Sequence, residues 1–151
     1  MDSNKNQISP DSGSRVRFWF VAGLLAILML TTVARDIGRP FYGLHSWADA
    51  HGAWLARVHI EHGLDYTHGL KTWSVGDPPT ENPDRYLNHP QLTSLLNAAT
   101  MAILGVTSEW AFRSTKVICT ILSFILFLRI VRGLTDDLTA LLSGLILIIL
   151  P

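Results

Sequence analysis

Hydrophobic and polar positions divide the chain into long uncharged runs and one polar stretch. Residues 1–17 are polar, with Pro10, Gly13 and several Ser and Asn, and read as a disordered tail. Phe18 to Ala34 (FWFVAGLLAILMLTTVA) is an uncharged run of 17 residues. As a helix it rises roughly 25 Å, at the short end for a bilayer core of about 30 Å. Arg17 and Arg35 flank it and can snorkel. Phe18, Trp19 and Phe20 form an aromatic edge of the interfacial kind. A signal peptide is the rival reading, with Arg15 and Arg17 as its charged head. The further apolar spans favour an uncleaved anchor. A second span covers residues 110–132 around VICTILSFILFL. A third begins at residue 138 and meets Pro151 after about 13 residues, too short to cross comfortably. The expectation is a chain cut inside that helix.

The expected fold is therefore an all-α integral membrane protein of two to three transmembrane helices. Residues 35–109 form its extracytoplasmic loop, with interfacial amphipathic helices near 46–62 and 90–105. Basic residues near the spans favour a cytoplasmic N-terminus only slightly. In 46–62 (SWADAHGAWLARVHIEH), Trp47, His51, Trp54, Val58 and Glu61 recur at three- and four-residue steps and predict an aromatic stripe. Ser46 and Asp49 have capping-box spacing, and Gly63 is a natural stop. Residues 76–85 contain three Pro and are not helical throughout. The next helix has Pro90 near its first position and Gly105 at its end. Its polar positions Gln91, Thr93, Ser94, Asn97 and Thr100 favour an interfacial helix over a membrane crossing.

Composition agrees with this layout. Of 151 residues, 48% are hydrophobic and 16% charged, with mean hydropathy +0.28. Soluble domains carry about 25% charge. Twelve basic and twelve acidic residues cancel. That excludes a basic nucleic-acid-binding domain, so no nucleic-acid partner is expected. Cys119 is the one cysteine, which excludes an internal disulfide.

All six histidines fall between residues 35 and 90. His59 and His62 bracket Glu61, with His51 and His45 upstream. This spacing lacks a compact ligand pair, and solvated interfacial histidines explain it better than a zinc site. Glu109 and Arg113 have the spacing of an ordinary helix-face ion pair. Asp136 and Asp137 are placed to cap the third span.

The segments ADAHGAWLARVHIEHGLDY, YLNHPQL and ILGVTSEWAFR, followed by a long apolar span, resemble the N-terminal part of C-type membrane glycosyltransferases. These include protein mannosyltransferases, lipid A aminoarabinose transferases and bacterial lipopolysaccharide-sugar transferases. Asp49 falls on the family's acidic pair, Ala56-Arg57 on its Ala-Arg, and His89-Pro90-Gln91-Leu92 on its Pro-Pro-Leu motif. Ala48 and Gln91 depart from the pattern, at the first acid and the second Pro. The resemblance implies sugar transfer from a polyprenyl-phosphate donor to an extracytoplasmic acceptor. It makes Asp49 the candidate catalytic carboxylate. Asp49 as a purely structural helix cap is the competing reading. The candidate substrate-binding residues are Arg57, Lys71 and His89 for the phosphate and Trp54 for the sugar ring. Trp47 and Trp73 share that stacking reading, and interfacial anchoring is the favoured reading for all three. No metal ligands are assigned, and the cofactor is unknown, with a divalent metal left open. The expected partners are the lipid bilayer, the donor and an unnamed acceptor. The expected location is the cell membrane, as a multi-pass protein inactive as this fragment. A small membrane-anchored assembly protein with a Trp- and His-rich external loop is the alternative.

Overall fold

A computed structural model describes residues 12–42, 46–73, 75–88 and 91–150. Five helices and one small hairpin make up the described residues: α1 (Ser12–Val33), α2 (Ser46–Thr67), β1 (Lys71–Thr72), β2 (Arg85–Tyr86), α3 (Leu92–Leu104), α4 (Glu109–Leu134) and α5 (Asp137–Ile149). They divide into two compact units. The loop unit is Asp36–Ile118, and the apolar unit combines Met1–Arg35 with Cys119–Pro151.

In the apolar unit, α1 begins at Ser12, so residues 12–17 are helical and not part of a disordered tail. Its 22 residues rise about 33 Å, so the helix is long enough for a bilayer although its uncharged part still begins at Phe18. α1 and α4 are both long and apolar enough to cross a membrane, and only 11% of the most apolar window of each is buried. The core helix of a soluble globule would be mostly buried. Here Leu24, Ile27, Leu122, Leu126 and Ile130 are exposed instead.

Phe18, Ala22, Phe124, Leu128 and Ala140 form the core of this unit. Gly144 lets α5 approach closely: a Cβ there would lie 2.6 Å from Leu128 Cδ2. Asp136 is the N-cap of α5 as expected, accepting from Thr139 N–H at 2.9 Å. Asp137 instead receives Arg132 Nε at 2.7 Å and the Ser14 hydroxyl at 3.1 Å. Arg132 also lies 4.1 Å above the Phe18 ring. The start of α1 and the end of α4 therefore share one end of this unit.

In the loop unit, α2 packs on α3 through small residues. Ala53, Ala56, Ala98, Met101, Ala111 and Phe112 form its core. Gly63, at φ +80°, interrupts α2, and the chain resumes helical geometry to Thr67. α3 has 13 residues, a rise of about 20 Å, too short to cross a bilayer alone. It starts at Leu92 with Gln91 as N-cap and ends on Gly105 in the left-handed region, φ +68°. The expected role of Pro90 lies outside the described residues.

β1 and β2 pair antiparallel, Lys71 with Tyr86 and Thr72 with Arg85. The Gln91 side chain clamps this hairpin: its Oε1 accepts from Lys71 N–H and its Nε2 donates to the Tyr86 carbonyl, both at 2.8 Å.

Two expectations fail here. Arg113 forms no salt bridge with Glu109 among the described residues. Its guanidinium donates to the carbonyls of Asp36, Ile37, Arg39 and Pro40 and covers Phe41 at 4.8 Å. A guanidinium has five donors, and the carbonyls of this turn offer them more acceptors than one carboxylate does. His59 is buried, not solvated. Its Nδ1 meets Thr67 Oγ1 at 2.9 Å and its Nε2 meets Ser94 Oγ at 3.4 Å. Periodicity places His59 on α2, but hydroxyls from Thr67 and α3 make its burial affordable.

Candidate functional site

A cavity of about 440 Å³ opens within the loop unit. The first two turns of α2 supply Trp47, Ala48, Asp49, His51 and Gly52, with Leu55 behind them. Lys71, Trp73 and Tyr86 come from the hairpin region. Thr93, Ser94 and Asn97 come from the polar face of α3, and Phe112 and Lys116 from α4. Gly52 makes room for Phe112, whose Cζ lies 3.2 Å from where a Cβ would sit.

Among the described residues, three charged groups line the cavity. Asp49 Oδ1 accepts from Lys116 Nζ at 2.5 Å. The Lys116 ammonium also lies 5.3 Å from the centre of the Phe112 ring, where the π-face attracts a cation. Lys71 is the second cation.

Aromatic rings surround these charges. His51 tilts against Trp73 at 4.1 Å, and Tyr86 meets Trp73 edge-on at 6.0 Å. Burial, and then the positive charge of Lys71, lower the His51 pKa from its ordinary value. Burial lowers that of His59 as well. Both imidazoles are thereby biased toward the neutral form.

No protein-family model, curated protein or solved structure matches the chain. The site therefore rests on its own geometry.

Of the residues singled out in the sequence, Asp49 and Lys71 line the cavity. Trp54 does not. It stacks on His51 at 6.1 Å and lies 6.4 Å from Trp73, both of them lining residues. Arg57 is turned away, donating Nε–H to the Thr107 carbonyl at 2.8 Å. His89 lies outside the described residues.

The expected single stripe along α2 is split. Trp47 is 70% exposed and Val58 is buried. Small residues at 52, 53 and 56 fit against neighbouring elements where the tryptophans do not. Lys116, Asn97, Tyr86 and Phe112 were not anticipated. The one available signal was the 93, 94, 97 polar face of α3. Among the described residues, no group of three or more His, Cys, Asp or Glu is placed to hold a metal ion.

The arrangement is a carboxylate and two ammonium groups among aromatic rings, hydroxyls and an amide. It can neutralise an anion, stack on a ring and accept a proton within one cavity.

Proposed function

We propose that the chain carries the first extracytoplasmic loop and flanking membrane helices of a glycosyltransferase. The donor is a polyprenyl-phosphate-linked sugar, and the protein resides in the cell membrane with its N-terminus cytoplasmic. The observation that carries this reading is the position of Asp49 on a cavity wall that also holds Lys71 and Lys116. A phospho-sugar needs cations for its phosphate and a base for its acceptor, and both lie here.

In the reaction, an acceptor hydroxyl attacks the anomeric carbon. Asp49 takes the hydroxyl proton as the new bond forms. The bond from the anomeric carbon to the phosphate oxygen breaks, and its electron pair leaves on the lipid phosphate. Lys71 and Lys116 neutralise that charge. The Asp49–Lys116 pair opens first, Lys116 turning to the phosphate and freeing the carboxylate. α1 and α4 anchor the chain in the bilayer, which also dissolves the isoprenoid tail. Gln91, where the resembling family has proline, makes two hairpin hydrogen bonds that proline cannot make.

Binding to the chain in lipid nanodiscs tests the reading. A radiolabelled polyprenyl-phosphate hexose is retained saturably, and the double change Lys71→Ala and Lys116→Ala weakens retention at least about tenfold, since hydrogen bonds to charged groups are worth about 1.5–3 kcal/mol each. Retention no greater than in empty nanodiscs refutes the proposal and favours the assembly-protein alternative. Where transfer is measured, Asp49→Asn lowers its rate by about 10²–10⁴ and leaves donor binding intact. Undiminished transfer removes Asp49 from the mechanism.

A further inference from the structure

Buried polar atoms in the loop unit are mostly satisfied, even at awkward places. Gln91 serves both strands, and the two ring nitrogens of His59 meet two hydroxyls. Among the described residues, six buried side-chain atoms have no hydrogen-bond partner: His51 Nε2, Trp73 Nε1, Arg85 Nε, Asn97 Oδ1, Ser108 Oγ and Thr115 Oγ1. Three of these residues, His51, Trp73 and Asn97, line the same cavity. Asn97 is only 2% exposed. An unpaired buried amide oxygen carries the desolvation cost of a polar group with no partner.

We propose that His51, Trp73 and Asn97 form a hydroxyl-reading subsite for the sugar ring of the ligand that occupies this cavity. The inference rests on the reading of the cavity as a polyprenyl-phosphate-sugar site. The three groups differ in kind. The Trp73 indole N–H only donates, Asn97 Oδ1 only accepts, and His51 Nε2 does either according to its tautomer. A hydroxyl both donates and accepts, so a polyol satisfies all three. An isoprenoid tail satisfies none. The edge-on Trp73 and Tyr86 rings offer apolar surface to the C–H groups of a pyranose. Lys71 and Lys116 remain for the phosphate. All three atoms are buried in the unliganded chain, so binding of the ring entails side-chain rotation at the subsite.

The test compares bare polyprenyl phosphate with polyprenyl-phosphate hexose, both on the chain in nanodiscs. The hexose conjugate is expected to bind at least tenfold more tightly. Asn97→Leu and Trp73→Phe each cut that advantage below threefold and leave the affinity for bare polyprenyl phosphate unchanged. Asn97→Leu also raises the melting temperature of the unliganded chain, because it removes an unpaired polar group at similar volume. A purely structural Asn97 gives the opposite, a lower melting temperature, and overturns the proposal. Equal binding of the two lipids by the unaltered chain overturns the subsite alone. Failure of both lipids to bind overturns the donor-site reading and the subsite with it.

Discussion

In the apolar unit, the buried side chains among the described residues are all hydrocarbon: Phe18, Ala22, Phe124, Leu128 and Ala140. In the loop unit His59, Thr67, Thr72, Ser94, Asn97 and Thr115 are buried beside alanines and Met101. The unpaired buried polar atoms belong to the loop unit too. Two different demands explain this contrast. A unit with apolar side chains outside as well as inside gains from close packing alone. A unit that encloses a polar cavity buries polar groups, and three of its unpaired atoms, on His51, Trp73 and Asn97, belong to residues of the cavity lining.

The sharpest way to break the comparison is to truncate the loop unit's core. Met101 is fully buried between α2 and α3. Met101→Ala is expected to destabilise that unit by about 2–5 kcal/mol, combining lost transfer energy with a residual cavity. Urea unfolding followed by tryptophan fluorescence reports it, since Trp47, Trp54, Trp73 and Trp110 all lie in this unit. An unchanged midpoint means that Met101 is not a keystone of the loop unit.

The apolar unit is best probed by adding atoms. Gly144→Val places a branched side chain where even a lone Cβ would meet Leu128 Cδ2 at 2.6 Å. Overpacking of this kind costs about 1–3 kcal/mol. Titration with sodium dodecyl sulfate should show earlier loss of the helix packing, with the tryptophan signals of the loop unit unmoved. If the loop signals shift equally, the two units are not separable in energy.

How much of this was legible in the sequence follows the same division. Uncharged length announces α1, α4 and α5, because apolar runs are local. The start of α1 at Ser12 was not legible, because helix continues through Arg15 and Arg17. The Asp136 cap was legible because its partner Thr139 is three residues away. In the loop unit the decisive partners are distant. Asp49 and Lys71 stand out by type, but Lys116 is 67 positions from Asp49. His59 beside Glu61 and His62 reads as wet, and only the fold brings Ser94, 35 positions on, to its ring. Arg57 matches a motif, yet it donates to the Thr107 carbonyl, 50 positions on.

Protonation separates the units as well, because all six histidines lie between Asp36 and Ile118. Burial holds the folded-state pKa of His59 below its ordinary value of 6.5, and burial and Lys71 do the same for His51. As pH falls below about 6.5 the unfolded chain binds protons that the folded chain refuses. The loop unit's stability is therefore full above that pH and declines on acidification, levelling off below the folded-state values. Urea midpoints between pH 8 and pH 5 should fall for the loop unit, less steeply in His59→Gln. A midpoint that rises on acidification reverses the assignment and makes imidazolium the native form.

The smallest effect is expected at the pair that the proposed mechanism uses most. Asp49 and Lys116 are in contact, but their side chains are 38% and 55% exposed. Exposed ion pairs contribute about 0–1 kcal/mol. In a double-mutant cycle of Asp49→Asn and Lys116→Ala, the coupling in folding stability should stay below about 1 kcal/mol. The loss of transfer in Asp49→Asn would far exceed it. A coupling of about 2–3 kcal/mol or more, of the size seen when buried charge pairs are broken, would make Asp49 a structural residue that fastens α2 to α4. A small coupling leaves a carboxylate held loosely at the wall of a cavity, as a group must be if it is to release one partner and take a proton from another.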